Sequence, residues 1–270
     1  MDHYVVMGNP IDHSKSPPIH QLFAAQTDQA MSYERQLVAE GGFAEAVAAF
    51  QDSGGRGANV TVPFKEQAWH LADRRSHRAE RAGAVNTLAF EAGERYGDNT
   101  DGAGLVRDIG VNHATRLAGR AILVIGAGGA VRGVLPAILA CGPSSVCIAN
   151  RTATKASALA REMADLGAIE GGGFAELAGR GFDVVINATS SGLHGELPPL
   201  PDGLLSEGCL CYDMVYADEP TAFVRWAREQ GAAQAVDGLG MLVEQAAESF
   251  LLWRGVRPDT APVIEALRPS

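Results

Sequence analysis

Residues 121–141, AILVIGAGGAVRGVLPAILAC, decide the fold. Ala121–Ile125 reads as an apolar strand, the run Gly126-Ala127-Gly128-Gly129 interrupts it, and a helix continues towards Cys141. Glycines between a strand and a helix let the backbone approach a pyrophosphate at the positive end of that helix. The third glycine position of the dinucleotide fingerprint, five residues after Gly126, is Val131. A glycine-rich turn without a ligand is the competing reading, and the strand–turn–helix context is what favours a nucleotide.

Downstream, the same alternation repeats. Ser145–Ala149 reads as a strand, Ala153–Leu166 as a helix and Asp183–Asn187 as a third strand. Leu210–Met214, the helix Pro220–Gln230 and the strand Ala232–Val236 follow, with Gly171-Gly172-Gly173 read as a loop. Repeated βα units predict an α/β fold with a parallel, doubly wound sheet. The second strand ends in Asn150-Arg151-Thr152, with Lys155 shortly after. An NAD site usually places a carboxylate there, which would repel a 2′-phosphate. Arg151 can grip one with its planar fork, supported by Thr152 and Lys155, so the segment points to NADP. An exposed helix start with incidental cations is the alternative.

Upstream, the first hundred or so residues form another α/β unit. Tyr4–Gly8 and Ala58–Val62 read as strands and Pro17–Gln26 and Phe43–Asp52 as helices. Pro63 opens a helix through Leu71, and Thr87–Phe90 with Arg95–Gly97 flank a hairpin turn at Ala92-Gly93. The polar loop Gly8–Pro17 contains Ser14 and Ser16, which can offer hydroxyls to a carboxylate beside a helix N-terminus, although Ser16 can equally cap that helix. Asn59, Thr61 and Lys65 converge at the C-terminal end of a strand, where open α/β sheets place ligands. Asn86 and Asp101 are further polar candidates, each of a type that also serves as a turn residue or cap. The histidines show no metal-ligand spacing, so no metal is expected. Leu239–Trp253 reads as a helix buried on several sides and Ala261–Leu267 as the last helix.

The chain has 270 residues, 46% hydrophobic and 20% charged, which is globular composition of a length that favours two domains. A formal charge of −10 without a basic stripe argues against nucleic acid. Cys141, Cys147, Cys209 and Cys211 lack CxxC spacing and read as free thiols of a reducing compartment. No signal-peptide pattern and no apolar run near the roughly 20 residues of a membrane span is present, so a cytoplasmic protein is expected.

Taken in order, GNPIDHSKSP, NVTVPFK, GAVNT, GDNTDG, GAGGAVR, NRTATK, NATSSG and DGLGMLVEQA closely resemble the shikimate dehydrogenase family over essentially the whole chain. The resemblance implies an N-terminal α/β substrate-binding catalytic domain at 1–103, a Rossmann-type NADP-binding domain at 104–238, and C-terminal helices at 239–270 that return to the first. It implies NADPH-dependent reduction of 3-dehydroshikimate to shikimate, by a monomer or homodimer. Carried over position by position, Ser14 and Ser16 bind the substrate carboxylate, and Thr61, Lys65, Asn86, Asp101 and Gln245 bind ring hydroxyls. Lys65 and Asp101 form the catalytic pair, and Tyr216 lines the substrate site. Gly126, Ala127, Gly128, Gly129 and Ala130, with Thr189, contribute to the cofactor site. Asn150, Arg151, Thr152 and Lys155 hold the adenosine phosphate, and Met214, Gly238 and Met241 lie near the nicotinamide. The run Tyr216–Ala222 lacks two prolines of the family pattern while keeping the spacing of Tyr216 and Thr221.

Overall fold

The computed structural model describes residues 1–189 and 196–268. The chain divides into two compact units, the first Met1–Gly104 with Val243–Leu267, the second Leu105–Leu242 with Arg268. One division falls inside a helix, between Leu242 and Val243, four residues beyond the boundary expected from sequence.

The first unit is built on a six-stranded sheet. Its strands are β1 (Asp2–Gly8), β2 (Met31–Leu37), β3 (Gly55–Val60), β4 (Arg74–Arg75), β5 (Thr87–Glu91) and β6 (Glu94–Asp98), in the order β2-β1-β3-β5-β6-β4. β2, β1 and β3 are parallel, and β5 runs antiparallel to both β3 and β6. Along β1, Val5 and Met7 join one buried cluster while Tyr4 and Val6 join another. That is the period-two alternation of a strand covered on both faces. The helices of this unit are α1 (Ser16–Gln26), α2 (Phe43–Asp52), α3 (Lys65–Leu71) and α4 (His77–Ala82). Next comes α5 (Asp101–Arg107), which starts here and continues into the second unit as a π-helical turn, Asp108–Asn112.

The second unit holds β7 (Ala121–Ile125), β8 (Ser145–Ala149), β9 (Ile169–Gly172), β10 (Phe182–Asn187), β11 (Leu205–Asp213) and β12 (Gln234–Val236). All pairings are parallel, in the order β12-β11-β10-β7-β8-β9. Counted within the unit this is the 3-2-1-4-5-6 order of a Rossmann fold, with its switch point between β7 and β10. Ile122 and Val124 pack into one core cluster and Leu123 and Ile125 into the opposite one, as a central parallel strand requires. Its helices are α6 (Gly129–Ala140), α7 (Ala153–Glu162) and α8 (Ala222–Glu229). Helix α9 (Leu239–Arg254) begins in this unit and passes into the first, followed there by α10 (Ala261–Leu267).

Three edge strands run against the sequence reading, among them the two-residue β4. β2 carries exposed Glu34 and Arg35 and shows no apolar run. Gly171 and Gly172, read as loop, belong to β9. A Cβ on Gly171 would overlap the Ala156 carbonyl, so glycine there is what lets α7 lie against the strand.

Candidate active site

In the first unit, the turn that follows β3 delivers Lys65 to the start of α3, with Phe64 N–H bonded to the Thr61 carbonyl at 3.0 Å. Lys65 Nζ donates to Asp101 Oδ2 at 2.6 Å. The two side chains are 30% and 12% exposed, so the pair is largely withdrawn from solvent. Asp101 opens α5, where a carboxylate suits the positive helix end. Its second oxygen accepts from Asn86 Nδ2 at 2.8 Å. Asn86 is itself fixed, accepting from Thr100 N–H at 2.9 Å and approaching Gln245 Oε1 at 3.3 Å. Gln245 comes from α9, so four of the residues singled out in the sequence meet here: Lys65, Asn86, Asp101 and Gln245.

Behind them runs a second tier that sequence reading missed. Asn59 Nδ2 donates to Ser249 Oγ at 3.0 Å and Thr87 Oγ1 at 3.1 Å, and Tyr33 Oη donates to Asn59 Oδ1 at 2.7 Å. Asn59, expected to converge on the ligand with Thr61 and Lys65, is therefore committed to protein groups. It is buried and its amide is fully engaged. The signal available in the sequence was a polar residue inside an otherwise apolar strand and, at Ser249, inside an apolar helix; neither shows its partner 190 residues away.

Thr61 is half-buried beside Gly8, and Asn9 N–H bonds the Val62 carbonyl at 3.0 Å, so the Gly8–Pro17 loop starts against the same turn. Ser16 is buried, yet α1 has no side-chain cap, which removes the capping alternative. Instead Ser16 N–H donates to Ser14 Oγ at 3.3 Å, and Arg35 grips the Ser14 carbonyl at 2.6 and 3.0 Å.

In the second unit, Gly126 follows β7 at φ +116°, a conformation few other residues adopt, beside the Ala188 carbonyl. Gly128 and Gly129 open α6 with open space where side chains would stand. α6 has no side-chain cap and no acidic residue in its first turn. These uncapped amides fit an anionic pyrophosphate. Val131, at the expected third glycine, is fully buried in the core, so the departure from the fingerprint is a packing residue. After β8, Asn150 Nδ2 bonds the Thr152 carbonyl at 3.0 Å, while Arg151, Thr152 and Lys155 are exposed. Among the described residues no carboxylate pairs with Arg151 or Lys155, whereas Arg132 and Arg180 of the same unit pair with Glu162 and Glu170. Two unneutralised cations beside the second strand suit a 2′-phosphate.

Thr189 bonds Asn187 Oδ1 through both its amide and its hydroxyl, at 3.2 and 2.8 Å. Ser190, Ser191 and Gly192 of the same motif lie outside the described residues. Gly238 N–H bonds the Val215 carbonyl at 3.2 Å, just past Met214, and Met241 sits in the first turn of α9. Ala127 is half-buried and Ala130 exposed at the glycine turn. Tyr216 is half-buried, and burial raises its hydroxyl above the usual range. In the run lacking the family's prolines, Thr221 caps α8 by accepting from Val224 N–H at 3.2 Å and donates to Asp213 at 2.6 Å. Burial pushes the Asp213 carboxyl up despite those bonds.

The fold and these two sets of side chains define a class, a two-unit α/β oxidoreductase with a Rossmann-type nucleotide-binding unit. Three family models match, the shikimate dehydrogenase substrate binding domain over residues 6–88, shikimate / quinate 5-dehydrogenase over 108–194, and the shikimate 5′-dehydrogenase C-terminal domain over 238–268. A shikimate dehydrogenase (NADP(+)) of Alkalilimnicola ehrlichii is 68% identical over 269 residues, covering 100% of this chain and 99% of its own. Among solved structures, the Ael1 enzyme of Pseudomonas putida aligns at TM-score 0.94 and 47% identity, covering 100% and 99% of the two chains. A shikimate 5-dehydrogenase from Thermus thermophilus, in complex with NADP(H) and shikimate, aligns at 0.88 and 33% over 98% of each chain. The chain belongs to the shikimate dehydrogenase family.

Proposed function

We propose that the protein catalyses the reversible NADPH-dependent reduction of 3-dehydroshikimate to shikimate, a step towards chorismate and the aromatic amino acids, in the cytoplasm and as a monomer or homodimer. The carrying observation is the Lys65–Asp101 pair at 2.6 Å, tied on its far side to Asn86. NADPH, when bound, supplies the hydride. Lys65 donates its proton to the ketone oxygen as negative charge builds there, and in the reverse direction takes the hydroxyl proton. Asp101 orients the ammonium group through their 2.6 Å bond. Thr61, Asn86 and Gln245 recognise ring hydroxyls and Ser14 and Ser16 the carboxylate, and Tyr216 of the second unit is also assigned to substrate. In the second unit the turn Gly126–Ala130, with Thr189, holds the pyrophosphate. Asn150, Arg151, Thr152 and Lys155 hold the 2′-phosphate, and Met214, Gly238 and Met241 border the nicotinamide.

The test is turnover by the purified protein. Shikimate with NADP should be oxidised faster than quinate with NADP and faster than shikimate with NAD. Preference for quinate would move the substrate assignment, and preference for NAD would undo the role of Arg151.

A further inference from the structure

The mechanism makes no use of Asp108, although its side chain is 1% exposed and it opens the π-helical turn that extends α5. Short π-helical turns recur at functional sites. Here the turn begins with a carboxylate that has four neighbours of its own unit. Tyr212 Oη donates to Oδ2 at 2.5 Å, Asn112 Nδ2 donates to Oδ1 at 2.8 Å, and His113 Nε2 lies 3.5 Å from Oδ2. The fourth is Gly240, in the first turn of α9, where any Cβ would overlap the carboxylate. Burial alone would raise the Asp108 carboxyl, but His113, Tyr212 and Asn112 hold it below the usual range.

Two of these neighbours matter for what they adjoin. Tyr212 stands two residues before Met214, at the end of β11, and is fully buried. The Met241 backbone amide is turned to the same Tyr212 hydroxyl, next to Gly240 on α9. One carboxylate thus fastens the end of a strand and the start of a helix, each carrying a methionine assigned to the nicotinamide.

We propose that Asp108, acting through Tyr212, is a positioning residue that fixes Met214 and Met241 as the wall against which the nicotinamide ring is held. This rests on the assignment of those methionines made above. A loosened wall leaves the adenosine half of the cofactor bound as before while the ring loses its registry, and small misplacements of a reacting group cost rate steeply.

Tyr212→Phe and Asp108→Asn test it, the first removing a single hydroxyl and so sparing the fold. The measurements are binding of NADPH, binding of 2′,5′-ADP (which lacks the nicotinamide), the fluorescence of the bound reduced nicotinamide, and the deuterium isotope effect on kcat. We expect 2′,5′-ADP affinity to stay within about twofold, and NADPH fluorescence in the complex to change. We expect kcat to fall on the order of 10-fold or more with a larger isotope effect. Equal weakening of both ligands, or a lowered melting temperature with unchanged kcat and fluorescence, would make Asp108 a fold residue and overturn the proposal. Met241→Ala tests the underlying assignment separately. If it leaves NADPH fluorescence and kcat untouched, the methionine wall itself is refuted. If it disturbs both while Tyr212→Phe and Asp108→Asn do not, only the positioning role falls.

Discussion

Lys65 and Arg151 are both cations a few residues past the end of a strand, yet their surroundings are opposite. Lys65 is bonded to a mostly buried carboxylate that is in turn bonded to a buried amide. Arg151 is exposed, with no carboxylate partner among the described residues. The difference follows from what each must do. A group that passes a proton is useful only at a fixed distance and orientation, so its neighbours hold it before substrate arrives. A group that binds a phosphate gains most when the ligand is its first strong partner. The strongest attack on this contrast is Lys65→Met, which should leave NADP binding unchanged and lower kcat on the order of 10²-fold or more. KM should rise less than kcat falls. A near-normal kcat with a raised KM would make Lys65 a binding residue, no more held for chemistry than Arg151.

On the other side of the comparison, Arg151→Ala should weaken NADP by roughly 1.5–3 kcal/mol, on the order of 10- to 150-fold. NAD, without the 2′-phosphate, should be barely affected. Titrating both cofactors against the variant decides it. Equal losses would mean that Arg151 supports the local backbone and that its exposure has nothing to do with a ligand.

The two regions also differed in how far the sequence could be read. The cofactor turn is contiguous: strand, glycines and helix lie within 121–141, and the cations within 150–155, so periodicity and residue type sufficed. β7, α6 and β8 fall almost where the hydrophobic pattern puts them. The substrate side is assembled from the ends of β3 and β6, the residues before β5, and two helices far apart in sequence. Its individual residues were recognisable as ordered motifs, but their joins were not. Nothing local announces that Asn59 meets Ser249, and in the second unit the Asp108–Tyr212 contact across 104 residues was equally hidden. Edge strands β2 and β9 escaped for a different reason: each is covered on fewer sides, so the apolar signal is diluted by Glu34 and Arg35 or replaced by glycine.

His20 probes how dry the first unit is beneath its site. It is fully buried, stacked on Tyr33 at 4.1 Å between ring centroids, and among the described residues neither ring nitrogen has a partner at hydrogen-bond geometry. Burial lowers its pKa from 6.5 to about 3. The folded chain therefore keeps the ring neutral where the unfolded chain protonates it, so stability falls as pH drops below 6.5, until the folded pKa is reached. Between pH 7 and 5 that amounts to about 2 kcal/mol. Denaturant unfolding at pH 7, 6 and 5 should show this extra slope in the wild type and not in His20→Phe. Parallel pH profiles would mean that water or a proton reaches the ring, and that the interior behind Asn59 is less sealed than its hydrogen bonds indicate.

The finest test compares two cations of the same exposed segment. Lys155 lies in the first turn of α7, a compact charge on a flexible stem, while Arg151 presents a planar fork that can take two phosphate oxygens at once. An exposed point charge contributes roughly 0.2–1 kcal/mol. Lys155→Ala should therefore cost NADP only about 1.5- to 5-fold in affinity. Because solvent ions screen exposed charges over about 10 Å at 0.1 M salt, that loss should shrink towards nothing as salt is raised. The kcat loss of Lys65→Met should not follow salt, since its ion pair is mostly withdrawn from water. Measuring both variants across a salt series places the two regions on one axis. A salt-insensitive loss in Lys155→Ala, or one as large as that of Arg151→Ala, would mean that the phosphate grip closes into a sheltered site when the cofactor binds. The contrast between a held proton donor and an open anion clamp would then apply only to the empty protein.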